Sequence, residues 1–139
     1  MTETIIVTKT IDAPVEKVWS AIRAIDGLDR WFPVIATSRV EGAGVGAIRI
    51  MGLRDGGEIH DRVIEIADTE RRFRYDRFRS PFPVTSYLGT VEVGDAGAGR
   101  SNVSWTVVIE AADEARSELA AFLRGALSDG IDGLETDLR

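Results

Sequence analysis

The sequence predicts an α+β fold in which a curved, seven-stranded antiparallel sheet surrounds a long C-terminal helix. Three observations support this prediction. A strand-like segment is followed directly by two short helical segments, residues 36–111 contain only strand and turn patterns, and the last part of the chain has helical periodicity. A sheet of this many strands tends to curl, and the final helix is the one large apolar element available to fill its concave face.

The N-terminal region changes from strand to helix within a few residues. Residues 5–11 alternate as in a strand, with apolar side chains on both faces. Asp12 is expected to cap the following helix, and Pro14 fits its first turn. Apolar residues then recur at helical spacing, at Val15, Val18, Trp19 and Ile22. Gly27 and Pro33 interrupt the next segment, which predicts a second short helix followed by a bend.

Six consecutive strands are predicted between Ala36 and Ala111. Turn-forming residues divide this region at 42–44, 55–57, 67–69, 80–83 and 95–99. Alternation along three of the strands places one set of side chains from each on a common face. The sets are Phe73, Tyr75 and Arg77; Tyr87, Gly89, Val91 and Val93; and Val103, Trp105, Val107 and Ile109. We expect these faces to meet.

The final segment is predicted to form one long helix beginning near Asp113, which can cap it. Its apolar positions are Leu119, Phe122, Leu123, Ala126, Leu127, Ile131, Leu134 and Leu138. A glycine inside a helix costs about 1 kcal/mol relative to alanine, yet this helix contains Gly125, Gly130 and Gly133.

The least bulky row of this helix comprises Phe122, Ala126, Gly130 and Gly133. We interpret the row as facing a space that the sheet leaves open. The alternative is that the glycines only fray or kink the helix near the end of the chain.

Length, charge and composition exclude several classes of function. The 139 residues are expected to form a single domain, 1–139. The absence of cysteine excludes disulfides, thiolate zinc sites and thiol redox chemistry. The net charge is −6 and the basic residues are scattered, so we expect no nucleic-acid partner.

No signal-peptide pattern occurs at the N-terminus, and no apolar run approaches the ~20 residues that cross a bilayer. We therefore expect a cytoplasmic protein without membrane insertion, as a monomer or homodimer. One histidine and no cysteine leave only carboxylates as metal ligands, and the spacing of a calcium loop is missing. No metal and no cofactor are expected.

Five polar residues could point into the interior, namely Asp61, Tyr75, Arg77, Tyr87 and Glu110. An unpaired carboxylate in an apolar cavity is costly, so Asp61 could form an ion pair with Arg77 on the neighbouring strand. Alternatively, Asp61 could exchange a proton with an enolisable ketone while the hydroxyl of Tyr87 holds the oxygen. Both interpretations place Asp61 inside the protein.

The orientation of His60, the one histidine, depends on which neighbours set the alternation of its strand. If Asp61 and Val63 point inward, His60 points outward, which is the orientation we favour. If Ile64 and Ile66 set the alternation, His60 and Arg62 point inward unless a bulge intervenes. Only an inward histidine could act as a general base in the interior.

The order of several sequence stretches resembles the START-like, or SRPBCC, superfamily. The stretches are VEKVWSAIRAIDGLDRWFP, GAIRIMGL, HDRVIEIADTERRFRYDRF, PVTSYLGTVEV, VSWTVVIE and FLRGALSDGIDGL. The similarity is greatest to the polyketide cyclase/dehydrase-type branch and covers essentially the whole chain. It implies the helix-grip fold, in which the sheet grips the C-terminal helix around a deep apolar pocket. Members bind lipids, sterols, polyketides or plant hormones, and some catalyse aromatisation and cyclisation.

A distant branch of the superfamily, the plant abscisic-acid receptors, has counterparts to several segments. The resemblance implies that residues 51–54 form a gate loop, that Asp61 is the acidic pocket residue and that residues 82–84 form a latch loop at the pocket mouth. Tyr75, Tyr87 and Glu110 align with pocket-lining positions. The lysine that holds the hormone's carboxylate corresponds to about Phe32, so a preference for acids is not implied.

The leading hypothesis is that the protein binds a small hydrophobic molecule of lipid, polyketide or aromatic type in a deep cavity between the sheet and the C-terminal helix. The alternative is a cofactor-free polyketide cyclase or dehydrase that uses acid–base catalysis by Asp61 and Tyr87. The candidate ligand-binding residues are Trp31, Phe32, Leu53, Asp61, Tyr75, Arg77, Phe82, Val84, Tyr87, Trp105, Glu110, Phe122, Ala126 and Gly130.

A third hypothesis, from a different class, is a protein-interaction module related to the chaperone-activator branch of the superfamily. Such a module needs an apolar patch on the outer surface. The outer positions of the predicted strands argue against it because they are charged, at Arg72, Arg74, Asp76 and Glu92.

Overall fold

The computed structural model describes residues 1–139, and it confirms the α+β fold class. Strand β1 is followed by two short helices, then by six strands and one long helix. Their bounds are β1 Thr2–Ile11, α1 Val15–Arg23, α2 Leu28–Trp31, β2 Ile35–Glu41, β3 Ile48–Leu53, β4 Glu58–Ala67, β5 Arg72–Arg79, β6 Val84–Gly97, β7 Arg100–Ala111 and α3 Asp113–Asp137. No helix is both long and apolar enough to span a membrane.

The seven strands form one antiparallel sheet in the order β1-β7-β6-β5-β4-β3-β2. Five consecutive hairpins therefore build β2 to β7, and β1 adds to the edge of β7. The ladder between β5 and β6 ends at the pair Asp76–Leu88, although both strands continue towards the connecting loop. At this end the two strands separate, and the sheet is open between them.

The inward faces of the strands are the ones that the alternation predicts. Phe73 and Tyr75 of β5 are buried, as are alternate residues of β6 and β7 from Tyr87 to Val93 and from Val103 to Ile109. They form one hydrophobic core together with α1, α2 and the apolar face of α3. The long helix thus closes the concave side of the sheet.

Neither predicted helix cap forms. The position before α1 is Pro14 and the position before α3 is Ala112, and neither helix receives a side-chain cap hydrogen bond. Asp12 precedes the cap position of α1 by two residues. Asp113 lies in the first turn of α3, where its charge is still favourable for the helix dipole.

A bulge in β4 reconciles the two alternations considered for this strand. Ile59, Asp61 and Val63 are buried, whereas His60 and Arg62 lie on the outer face. The register with β5 shifts between Val63 and Glu65, after which Ile66 packs against the core. The outward orientation of His60 is thereby confirmed; its Nε2 lies 2.6 Å from Glu58 Oε1.

The C-terminal half of α3 is packed closely against α2 and the residue that follows it. A Cβ atom added at Gly130 would lie 2.2 Å from Phe32 Cε1, and one added at Gly133 would lie 2.0 Å from the Trp31 carbonyl oxygen. These glycines permit close approach and do not border an open space. The interpretation of the whole small row as a cavity wall is wrong at these two positions.

Candidate functional site

An apolar cavity of about 40 Å³ lies between the sheet and residues 122–127 of α3. Arg77 is the only charged residue in its wall. The lining residues are Leu28, Phe32, Val34, Ile35, Leu53, Ile59, Tyr75, Arg77, Phe82, Tyr87, Trp105, Phe122, Leu123, Ala126 and Leu127. This volume suits a water molecule or two and is far below the roughly 300 Å³ or more of a typical ligand pocket.

The mouth of the cavity lies between the β5–β6 loop and α3. The Phe82 ring stacks on Tyr87, with centroids 6.3 Å apart, and also contacts Phe122 at 6.0 Å. Outside this aromatic pair is a groove of about 470 Å³, whose wall shares Val34, Leu53, Phe82 and Phe122 with the cavity. Phe82 and Phe122 therefore separate a small interior space from a large exterior one.

The wall opposite the mouth is aromatic. Trp105 Nε1 donates a hydrogen bond to Tyr75 Oη at 3.0 Å, which satisfies both polar atoms inside the core. The Tyr75 ring crosses Gly89 of β6, where an added Cβ would lie 2.0 Å from its Cζ atom. Phe32 packs edge-on against Trp105, with centroids 5.2 Å apart, and closes the end of the cavity next to α2.

Behind this wall, two arginines and one aspartate form a buried ionic cluster. Arg49 donates to Asp61 Oδ2 from Nε at 3.1 Å and from Nη2 at 2.8 Å. Arg77 donates from Nε to Asp61 Oδ1 at 2.8 Å and from Nη2 to Oδ2 at 3.2 Å. Arg49 also donates to the Ile25 carbonyl oxygen at 2.8 Å. The side chains of Arg49, Asp61 and Arg77 are 2%, 0% and 8% exposed.

The ionic cluster keeps Asp61 charged. Burial alone would raise the pKa of this carboxyl, but the charges and hydrogen bonds of Arg77 and Arg49 outweigh burial and hold the pKa below its ordinary value. Because the folded pKa is the lower one, the cluster stabilises the fold above about pH 4, and this contribution is lost as the pH falls through the folded value.

The same environment sets the state of Tyr87. Burial is the largest influence and raises the pKa of its phenol, against the opposing effect of the Arg77 charge. The hydroxyl is therefore protonated at neutral pH and can donate a hydrogen bond. The Arg77 guanidinium carbon lies 4.5 Å from the centroid of the Tyr87 ring.

Nine predicted ligand-binding residues line the cavity and five do not. Those in the wall are Phe32, Leu53, Tyr75, Arg77, Phe82, Tyr87, Trp105, Phe122 and Ala126. Those outside it are Trp31, Asp61, Val84, Glu110 and Gly130. Asp61 is the special case, because it contacts the cavity residue Arg77 without reaching the cavity itself.

Each of the other four residues outside the wall has a different contact. Trp31 is buried beside α3 and donates from Nε1 to Asp137 Oδ2 at 3.0 Å. Val84 borders the clefts outside the β5–β6 loop. Glu110 lies on the outer face of β7 and accepts a hydrogen bond from Thr2 Oγ1 at 2.6 Å. Gly130 is covered by the ring of Phe32.

Arg49 is the important residue that the sequence analysis missed. It is an arginine within the otherwise apolar strand IRIMGL, and in the β3–β4 hairpin it lies directly opposite Asp61. A charged residue on the inward parity of such a strand, opposite a carboxylate, could have indicated the pair. No group of three or more His, Asp or Glu side chains lies close enough together to hold a metal ion.

The fold and the enclosed apolar cavity define a helix-grip protein of the START-like superfamily. The family model described as polyketide cyclase / dehydrase and lipid transport matches residues 2–139, and the chain belongs to this family. The resemblance stated from the sequence is thereby confirmed. No curated protein matches the sequence.

Solved structures share the fold over nearly the whole chain. XoxI from Bacillus cereus is 28% identical with a TM-score of 0.86, over 97% of this chain and 94% of that chain. The Zhui aromatase/cyclase from Streptomyces sp. R1128 is 16% identical with a TM-score of 0.86, over 99% and 94%. Norcoclaurine synthase from Thalictrum flavum is 18% identical with a TM-score of 0.80, over 98% and 86%. The last two likenesses concern the fold alone.

Proposed function

We propose that the protein binds a small hydrophobic molecule of lipid, polyketide or aromatic type between the sheet and α3. The observation that carries this proposal is an interior cavity with one charged residue in its wall, next to a larger groove that shares four of its residues. The family description, which includes lipid transport, supports the same class of ligand. Burial of apolar surface at about 25 cal/mol per Å² supplies the affinity.

Ligand entry requires movement at the mouth because the cavity is smaller than any such ligand. Phe122 is 47% exposed and Phe82 is half-buried, so both rings can turn outward at less cost than a fully buried ring. Phe82 is carried by the short β5–β6 loop, which is not paired with a neighbouring strand. We propose that a ligand replaces one or both rings and occupies the groove and the cavity together.

A filled cavity tests the proposal. Ala126 lies in the cavity wall, and Ala126→Trp would place an indole in the space that the ligand needs. Titration with the neutral fluorescent probe N-phenyl-1-naphthylamine is expected to show at least a tenfold loss of affinity. Ala121→Trp is the matched control, because Ala121 is an exposed alanine on the same helix. Undiminished probe binding by a folded Ala126→Trp variant would remove the proposal.

The second candidate function is a cofactor-free polyketide cyclase or dehydrase. Arg77 and Tyr87 both line the apolar cavity, and two such donors could stabilise the oxygen of an enolate. Asp61 is an unsuitable proton acceptor in this arrangement, because both of its oxygens accept hydrogen bonds from guanidinium groups. This candidate therefore depends on Tyr87.

An assay with a synthetic poly-β-keto thioester separates the two candidates. If the protein is an enzyme, Tyr87→Phe should reduce turnover at least about a hundredfold while the affinity for the neutral probe is kept. The absence of turnover by the unmodified protein, or equal rates for the two proteins, would leave binding as the function.

A further inference from the structure

The buried ionic cluster carries one positive charge more than it can neutralise. Two guanidinium groups, of Arg49 and Arg77, face the single carboxylate of Asp61, and all three side chains are at least nine-tenths buried. The aromatic rings around the cluster compensate part of this excess charge. The guanidinium carbon of Arg49 lies 5.0 Å from the centroid of the Tyr75 ring, and that of Arg77 lies 4.5 Å from the centroid of the Tyr87 ring. An uncompensated charge in such a place is strongly destabilising.

Arg77 is the member of the cluster that can receive an anion. Its Nε and Nη2 atoms are used by Asp61, whereas Nη1 forms no hydrogen bond within the chain. No enclosed polar side-chain atom of the protein lacks a partner, so Nη1 must reach open space. Arg77 lines two such spaces, the apolar cavity and the polar cleft outside the β5–β6 loop. Arg49, in contrast, donates from all three nitrogens and does not border the cavity.

A second donor lies beside this nitrogen. The Tyr87 ring lies 4.5 Å from the Arg77 guanidinium carbon, measured to the ring centroid, and the residue lines the cavity. Its hydroxyl interacts with the hydroxyl of Tyr75. Burial, with a contribution from this hydrogen bond, raises the pKa of Tyr87, so the hydroxyl keeps its proton at neutral pH. The cavity wall thus presents one charged donor without a partner, Arg77 Nη1, and one neutral hydroxyl that can turn from Tyr75 to a ligand, in a surrounding that is otherwise apolar.

We propose that the ligand of this cavity is an apolar carboxylic acid bound as its anion, with one carboxylate oxygen on Arg77 Nη1 and the other on the Tyr87 hydroxyl. The inference rests on the proposed binding function and adds the chemical class of the ligand. Two donors match the two oxygens of a carboxylate, and a single negative charge balances the single excess positive charge. A phosphate monoester would bring more charge than the cluster can balance, and a neutral ligand would leave the imbalance in place.

A pair of probes with the same apolar body tests the inference. We expect 4-phenylbutanoate to bind at least about tenfold more tightly than 4-phenylbutan-1-ol at pH 7, measured by calorimetry, because a hydrogen bond to a buried cation is a strong one. Equal affinities would overturn the inference and leave the proposed function intact. If neither probe binds, both fail.

Two charge variants on one strand locate the anchor. Arg77→Gln leaves Asp61 paired with Arg49, and it should abolish the preference for the acid, so that the acid and the alcohol bind with equal affinity. Arg79→Gln makes the same change in charge on β5, at a residue that is exposed and does not line the cavity, and it should keep the preference. Loss of the preference in Arg79→Gln alone would place the acid in the polar cleft outside the β5–β6 loop, which Arg79 lines, and would overturn the inference.

A third variant can be used if Arg77→Gln does not fold. Tyr87→Phe removes the neutral donor and leaves the ionic cluster intact. The ratio of the affinities for the acid and for the alcohol should then fall several-fold. An unchanged preference in Tyr87→Phe would contradict the two-donor geometry.

Discussion

The two halves of α3 use small residues for opposite purposes. Around Ala126 the helix borders a cavity. The side chain of Phe122, one turn earlier in the helix, is 47% exposed at the mouth of this cavity. Around Gly130 and Gly133 the helix touches its neighbours so closely that an added Cβ would lie within about 2 Å of Phe32 or of the backbone of Trp31. The open half of the helix, up to Leu127, borders the cavity, and the closed half, from Ser128 onwards, is packed against its neighbours.

This contrast shows what a small side chain in a helix does and does not indicate. Small residues permit either an open space or a close approach, and only the neighbouring element decides which of the two occurs. Here α2 and Phe32 fill the space beside Gly130 and Gly133, so the cavity is confined to the part of the helix that precedes Ser128. The contrast can be tested one half at a time.

Gly133→Ala is expected to have the largest effect, because it acts on the closed half. The new Cβ would meet the Trp31 carbonyl oxygen at 2.0 Å, which forces α2 away at a cost of about 3 kcal/mol. The gain in helix propensity, about 1 kcal/mol, offsets only part of this. We expect chemical denaturation to show a net loss of about 2 kcal/mol, with probe binding by the folded protein unchanged.

A stability equal to that of the parent protein would contradict the close packing of this half. Gly130→Ala provides a graded comparison, since its new Cβ would meet the ring of Phe32, which can turn, and not a backbone atom. It should therefore cost less than Gly133→Ala.

The architecture could be predicted from the sequence because it depends on local signals. The turn residues between 42 and 99 gave the strand boundaries, and period-two alternation gave the inward faces of β5, β6 and β7. The role of Gly130 could not be predicted in this way. Its neighbour Phe32 is distant in sequence, and nothing in the helix itself shows that the ring covers the glycine.

The candidate site was predictable to a similar extent. Residues on the inward parity of a strand, such as Tyr75 and Tyr87, were found from alternation alone. Glu110 was placed in the pocket by resemblance, although the same alternation that buries Ile109 turns Glu110 outward. The partner Arg49 required the register of β3 against β4, which depends on the length of the turn between them as well as on the strands.

Phe82→Ala should have the next largest effect. It acts on the mouth of the cavity, beside the open half of α3. Phe82 stacks on Tyr87 and contacts Phe122; aromatic contacts of this kind contribute about 1 kcal/mol or somewhat more. Removing the ring joins the cavity to the groove. We expect the association rate of the neutral fluorescent probe to rise by up to about tenfold in stopped-flow measurements.

Phe78→Ala is the matched control for the mouth. Phe78 is an exposed phenylalanine of the neighbouring strand β5, and it contacts His60 on the outer face of the sheet. Its removal should leave the association rate unchanged. If the two variants bind the probe at the same rate, Phe82 does not control entry and the open half has another mouth.

Gly125→Ala should have the smallest effect, and its sign is opposite to that of Gly133→Ala. Gly125 lies on the exposed face of α3, and no atom lies within 4 Å of an added Cβ. The substitution therefore gains the helix propensity of alanine, about 1 kcal/mol, without a clash. The melting temperature should rise by about 4 °C, while the affinity for the probe stays the same because Gly125 does not line the cavity. A fall in stability would mean that this glycine, like the two that follow it, is held against a neighbour. In that case the two halves of the helix would not differ as described.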